Sequence, residues 1–319
     1  MTKIEIAPML DWTTTHYRYF MRNITKHTTL YTEMIVSDAI IHGNGDRLLG
    51  FNPEEHPLVL QLGGSDPHKL AMASKIASRY GYDKINLNVG CPSSRVKSGN
   101  FGACLMQEPQ LVRDCLSAIK DAVDIKVSVK HRVGLGYDYS YEFLHNFVDI
   151  VKASGCNKYV VHARNAILEG LSPKQNREIP PLEYEYVYKL KKDFPQLEII
   201  LNGGVTRLEQ VDHHLKFVDG VMLGREAYYN PYLFASVDQK YYNDHHTIPT
   251  RFEVAKQMIG YLEMHAKRNT KLRHITAHML GLFHGCPNAK LWRTTLTDTM
   301  AKTNDINVYI DFLENKFRV

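Results

Sequence analysis

The sequence contains no apolar run of the length a bilayer-spanning helix requires, and its start, Met1-Thr2-Lys3-Ile4-Glu5-Ile6, places a carboxylate where a signal peptide needs an apolar core. Neither membrane insertion nor secretion is expected, and the chain reads as cytoplasmic. Its five cysteines (Cys91, Cys104, Cys115, Cys156 and Cys286) are odd in number and include no C-x-x-C pair. This argues against both a disulfide framework and a structural zinc site, so no metal is expected. Low-complexity segments are missing, which speaks against disorder. There is no G-x-G-x-x-G or P-loop signature, so a Rossmann-bound dinucleotide is not expected.

What is present is an ordinary globular composition, 44% hydrophobic and 23% charged over 319 residues. That length exceeds one typical domain but suits a barrel of about 250 residues with a smaller partner domain. The net charge of +5 is unevenly placed. Residues 250–319 hold 11 Lys+Arg against 6 Asp+Glu, whereas the rest of the chain holds 28 of each. Such a tail is either a solvated helical surface or a phosphate-facing one, and charge alone does not choose between them.

Short β-type runs alternate with helical periods: Ile4–Ala7, Leu30–Met34, Leu58–Leu62, Lys84–Asn88, Ile125–Lys130, Lys158–His162, Ile199–Asn202 and Gly220–Leu223. Eight strands alternating with helices over about 230 residues predict a closed (β/α)8 TIM barrel rather than an open sheet. Asp66 is placed to cap a helix that begins at Pro67, and another helix is expected after Pro109. The polar stretch Lys240–Pro249 reads as a linker. Beyond it Val254, Met258, Tyr261 and Leu262, then Ile275, Met279 and Leu282, recur at helical spacing. The expected organisation is a barrel over 1–243 and a small C-terminal helical domain over 250–319.

In such a barrel the working residues lie at the C-terminal ends of the strands. Here those ends carry Asn86-Leu87-Asn88-Val89-Gly90-Cys91-Pro92, Lys130-His131-Arg132, His162-Ala163-Arg164, Asn202-Gly203-Gly204 and Gly224-Arg225. Glycines after strands seven and eight let backbone N–H groups approach a phosphate, and Arg225 could add donors; each motif alone could equally be a turn. Together they favour a mononucleotide such as FMN. A flavin needs hydrogen bonds along its pyrimidine edge and a positive charge near N1, which Gln61, Lys130 and His162 can supply. Cys91, in a Gly-Cys-Pro turn, is expected to be exposed; it is either a reactive thiol or a small residue fitted to the turn.

Ala7-Pro8-Met9, the Asn86–Pro92 segment, Ser128–Arg132, His162-Ala163-Arg164 and Asn202-Gly203-Gly204 resemble, in order, the flavin barrel of tRNA-dihydrouridine synthases. Gly170–Leu182, Gly281-Leu282-Phe283-His284-Gly285 and Trp292-Arg293 resemble the dihydrouridine synthase A subfamily. The resemblance implies that NADPH (or NADH) reduces FMN, that reduced FMN passes hydride from N5 to C6 of a tRNA uridine, and that Cys91 protonates C5. Such an acid keeps its proton at neutral pH, so no histidine dedicated to ionising it is expected. Carried over by position, the FMN contacts are Pro8, Met9, Leu10, Gln61, Lys130, His162, Asn202, Gly203, Gly204, Gly224 and Arg225. Asn88 would meet the uridine, while Lys174, Arg177, Lys290 and Arg293 would meet the tRNA. Lys290 and Arg293 lie at i, i+3 and share a helix face. The subfamily is associated with uridines 20 and 20a of the D-loop, and a monomer is favoured.

Two other readings stand beside this one. A flavin barrel acting on a free pyrimidine, as in dihydroorotate dehydrogenase-like enzymes, would use the same barrel and cysteine but leaves the basic tail without a purpose. A tRNA-binding folding chaperone without catalysis would not need Cys91.

Overall fold

The structure, a computed structural model, describes residues 4–93, 99–137 and 139–317. The chain forms two compact units: one of Met1–Met9, Thr29–Phe51 and His56–Gly224, the other of Leu10–Thr28, Asn52–Glu55 and Arg225–Val319.

The first unit is built on β1 (Ile4–Ile6), β2 (Leu30–Val36), β3 (Leu58–Gly63), β4 (Lys84–Val89), β5 (Lys126–Arg132), β6 (Lys158–His162), β7 (Glu198–Asn202) and β8 (Gly220–Leu223). All neighbouring strands pair in parallel in the order β1-β8-β7-β6-β5-β4-β3-β2. A bridge between Glu5 and Thr29 closes the ring, with Ile6 N donating to Thr29 O at 2.9 Å and Thr29 N to Ile4 O at 3.1 Å. This is the (β/α)8 barrel expected from the strand count.

Observed strands overlap all eight expected runs, and the main differences are at their C-terminal ends. β2 continues to Val36 past an irregularity: Tyr31 pairs with Val59 but Met34 with Gln61, so three steps on β2 face two on β3. The Thr32 hydroxyl fills the gap by accepting from Gln61 N at 3.0 Å. Such a bulge cannot be read from apolar alternation, because the extra residue shifts the period.

Alternation along each strand sorts the barrel interior into layers. At the N-terminal end Lys158 Nζ meets Glu5 Oε1 at 2.6 Å and Glu198 Oε1 at 2.9 Å, and Tyr31 donates to Glu5 Oε2 at 2.8 Å. Above lies an apolar layer of Ala7, Tyr31, Val59, Val160, Ile200 and Met222. Polar side chains then fill the C-terminal mouth. Asp66 caps the helix Pro67–Ser78 by accepting from His68 N and Lys69 N, and Pro109 opens the helix Pro109–Ala122, both as the sequence predicts.

In the second unit, the helix Arg251–Lys267 starts with a reciprocal box, Glu253 N to Thr250 Oγ1 at 3.2 Å and Thr250 N to Glu253 Oε2 at 2.7 Å. It buries Val254, Met258, Tyr261 and Leu262, the positions marked by helical spacing. Ile275, Met279 and Leu282 are buried too, and Met279 O accepts the indole N–H of buried Trp292 at 2.9 Å. Helix Thr15–Arg22 belongs to this unit, where Arg18 forms a buried pair with Glu55 at 2.6 Å. The stretch expected to be a linker is in part helical: Lys240–Tyr242 end the helix Val237–Tyr242, and Asn243 stops it at φ +56°. Buried Asp238 secures that helix by accepting from Thr25 Oγ1 at 2.7 Å and Lys26 N at 2.5 Å, a tertiary contact that local composition does not reveal. Among the described residues no helix is long and apolar enough to cross a membrane, and no cluster of His, Cys, Asp or Glu is arranged to hold a metal.

Candidate active site

A line of side-chain amides crosses the barrel mouth. Asn88 Nδ2 donates to Gln61 Oε1 at 2.8 Å, Gln61 Nε2 to Asn86 Oδ1 at 2.8 Å, and Asn86 Nδ2 to Ser128 Oγ at 2.9 Å. All four residues are buried. Each amide orients the next, so the network holds Gln61 and Asn88 in single orientations. Every buried amide in it has a partner, which is the condition for such a network to rigidify rather than destabilise.

The turn after β4 is held from three sides. Asn88 Oδ1 accepts from Gly90 N at 3.1 Å and Cys91 N at 3.0 Å, folding the chain over its own side chain. Cys91 O accepts from Ala103 N at 3.0 Å, and Gly90 O accepts from Arg132 Nε at 2.9 Å. Cys91 Sγ lies 3.5 Å from Ser93 Oγ. Cys91 is half-buried rather than exposed, and its turn is pinned through the Gly90 and Cys91 carbonyls by Arg132 and Ala103.

Arg132, in the motif that ends β5, takes part in holding this turn. Besides Gly90 O, its Nη1 donates to Asn165 O at 2.9 Å and Asn176 O at 3.0 Å, so one buried guanidinium joins the β4 turn to the loop after β6. Burial pulls its pKa down to about 10, which leaves it charged at neutral pH. Buried Asn176 completes the clamp, accepting from Ile167 N at 2.8 Å and donating to Ile167 O at 2.9 Å. The available signal was a second cation two residues after Lys130, on the same inward-facing side of β5.

Lys130 Nζ donates to Asn202 Oδ1 at 3.0 Å, and Asn202 Nδ2 to Met222 O at 2.8 Å. Burial first, then neighbouring Arg132, lowers the Lys130 pKa to about 7, with Cys91 acting in the opposite sense. His162 is pushed well below its ordinary value by burial and by the cations Arg132, Lys130, Arg164 and Arg177, so it is a neutral imidazole. Gly203 (φ +117°) and Gly204 (φ +71°) have backbones that suit glycine, and a Cβ on Gly203 would lie 2.8 Å from His162 Cδ2. At Gly224 a Cβ would meet nothing within 4 Å, leaving open space beside the backbone. Pro8 and Met9 are half-buried just beyond β1.

These positions singled out in the sequence fall into three groups. Gln61, Asn88, Cys91, Lys130, His162, Asn202, Gly203, Gly204 and Gly224 all end, or directly follow, strands of the barrel. Lys174 and Arg177 are exposed in the loop after β6. Leu10, which is 66% exposed, Arg225, Lys290 and Arg293 belong to the second unit. Lys290 and Arg293 are both exposed on the helix Ala289–Thr294, as their spacing predicts.

A closed parallel barrel whose mouth gathers Cys91, Lys130 and His162 has the architecture on which (β/α)8 enzymes build their active sites. A family model described as dihydrouridine synthase (Dus) matches residues 5–317. The tRNA-dihydrouridine(20/20a) synthase of Synechocystis sp. is 56% identical over 296 residues, covering 93% of this chain and 89% of the relative. The proteins of the same name from Shewanella oneidensis and Escherichia coli K12 are 54% and 52% identical, covering 93% and 96% of this chain and 88% and 89% of their own lengths. A solved structure of a 2-naphthoyl-CoA reductase complex aligns at a TM-score of 0.57 with 9% identity, over 74% of this chain and 50% of that one, a likeness of fold alone. This chain belongs to the dihydrouridine synthase family of enzymes.

Proposed function

We propose that the chain is an FMN-dependent tRNA-dihydrouridine synthase that reduces uridines 20 and 20a of the D-loop with NADPH (or NADH) as reductant. The positions rest on the names of relatives that are 52–56% identical along almost the whole chain. The observation that carries the chemistry is the Cys91 turn, fixed by Asn88 and Arg132 at the same barrel mouth as Lys130 and His162.

When bound and reduced, FMN supplies the hydride that goes to uracil C6. The residues present fit such a group. When protonated, Lys130 Nζ has three hydrogens and spends one on Asn202, so it would have donors left for the flavin pyrimidine edge and a charge to offer near N1. Gln61 and neutral His162 would bind the same edge, and Pro8, Met9 and Leu10 would hold the ring. The N–H groups of Gly203, Gly204 and Gly224 would hold the phosphate, with Arg225 offering a guanidinium; the open space at Gly224 suits a group that must approach the backbone. Asn88 orients the uracil, and Cys91 Sγ gives its proton to C5. Lys174, Arg177, Lys290 and Arg293 bind the tRNA. In this division residues 1–243 form the flavin-binding catalytic domain, which also meets the tRNA through Asn88, Lys174 and Arg177, and 250–319 form the helical tRNA-binding domain.

An absorbance spectrum of the purified protein, taken anaerobically before and after NADPH and then after unmodified tRNA transcript, tests the proposal. A yellow protein that bleaches with NADPH and regains its flavin band on adding tRNA is expected. A colourless protein that FMN cannot reconstitute would sink it. Reoxidation by a free pyrimidine as fast as by tRNA would favour a small-molecule substrate.

A further inference from the structure

The second unit carries an aromatic group that the chemistry above does not use. Trp12 and Tyr228 stack with ring centroids 4.3 Å apart at 17°, and Tyr229 meets Trp12 edge-on at 5.3 Å and 70°. Tyr229 is 53% exposed and Trp12 is half-buried. The support beneath them is rigid. Tyr228 Oη is hydrogen-bonded to His278 Nδ1 at 3.1 Å, His278 Nε2 to Thr14 Oγ1 at 2.9 Å, and Tyr17 donates to Ala227 O at 2.7 Å. Burial lowers the His278 pKa to about 4, so the bridge is neutral at physiological pH.

Gly281, from the Gly281–Gly285 motif, makes this arrangement possible. A Cβ there would lie 2.5 Å from Tyr229 O and 2.8 Å from Tyr228 O, so any side chain would displace the backbone of both tyrosines. A glycine is thus required to seat two adjacent aromatics, one of them facing solvent.

We infer that exposed Tyr229, braced edge-on by Trp12, offers a stacking face for one unpaired base of the tRNA, a base other than the uridine that is reduced. The inference rests on the tRNA reading above. Extruding a uridine from a folded loop unstacks its neighbours at a cost of a few kcal/mol, and an aromatic face offers a replacement stack that tolerates any base. The same unit is net positive, as an RNA-facing unit should be: residues 250–319 hold 11 Lys+Arg against 6 Asp+Glu, with Lys290 and Arg293 exposed.

Stacking and phosphate contact differ in their response to salt, which makes the platform testable. The measurement is the dissociation constant of FMN-loaded full-length protein for unmodified tRNA transcript across a salt series, for native, Tyr229→Phe, Tyr229→Leu and Lys290→Ala forms. Tyr229→Leu should weaken binding about tenfold with an unchanged slope of log K on log salt, and Tyr229→Phe should bind within about twofold of native. Lys290→Ala should instead reduce the slope by about 0.7 to 0.9. Stacking should also quench Trp12 fluorescence on tRNA binding, and Trp12→Phe, leaving only buried Trp292, should abolish the quenching. Equal affinity of the Leu and native forms, a changed slope in the Leu form, or quenching that survives Trp12→Phe would each overturn the platform while leaving the synthase reading intact. Failure of the native protein to bind tRNA would overturn both.

Discussion

Arg132 Nε donates to the carbonyl oxygen of Gly90 at 2.9 Å, so the residue preceding Cys91 is anchored to β5 by a charged group that also holds two carbonyls of the loop after β6. A lysine ammonium keeps the charge but lacks the fork that reaches Gly90 O and the two loop carbonyls at once. Arg132→Lys should lower turnover on tRNA about 100-fold, the scale of a misplacement near one ångström. Flavin content should change little. Single-turnover reoxidation by tRNA, with flavin content measured on the same sample, checks this; unchanged turnover would remove Arg132 from the positioning of Cys91.

If Cys91 delivers the C5 proton, Cys91→Ala should reduce dihydrouridine formation by about 100-fold or more, the usual share of a positioned acid. Reduction of the flavin by NADPH should proceed as before. Mass spectrometry of the product tRNA beside the anaerobic spectrum separates the two half-reactions, and an Ala variant as active as native would assign Cys91 to the fit of the turn.

Lys130 yields a pH dependence whose sign follows from its lowered pKa, about 7 folded against an ordinary 10.5. Below pH 7 the ammonium is charged in both states and its desolvation cost is fully present. Between pH 7 and 10.5 the unfolded chain binds more protons, so this group's contribution to stability rises with pH. In the cofactor-free protein, native stability should rise relative to Lys130→Met between pH 7 and pH 9, as measured by urea unfolding. Parallel curves for the two forms would contradict the lowered pKa.

Glu5, fully buried, holds both Lys158 and Tyr31 at the closed end of the barrel. Glu5→Gln leaves a buried ammonium with only Glu198 and should cost about 3 kcal/mol, at the lower end for a broken buried pair. Chemical denaturation reads this directly. Because the site lies at the opposite end of the strands, flavin affinity of the folded fraction should hold; selective loss of flavin without loss of stability would contradict this role.

Several features were already decided along the chain. Eight apolar runs at barrel spacing, Asp66 before Pro67, and Val254, Met258, Tyr261 and Leu262 at helical intervals are local patterns, and each became the expected element because period and capping act over a few residues. The strand-end motifs likewise placed Asn88, Cys91, Lys130, His162 and Asn202 at one mouth, since parallel strands in a closed barrel must all end on the same side. The tertiary structure decided what depends on partners distant in sequence. Helix Thr15–Arg22 joined the second unit through the buried Arg18–Glu55 pair, and Lys240–Tyr242 became helical in a segment that Asp238 ties to Thr25 and Lys26. Cys91 was drawn half under the surface, and Arg132 gained its three carbonyls only when two loops met. The physical reason is common to these cases: burial and hydrogen-bond satisfaction are properties of a place in space, and neighbours in that place can be tens or hundreds of residues apart along the chain.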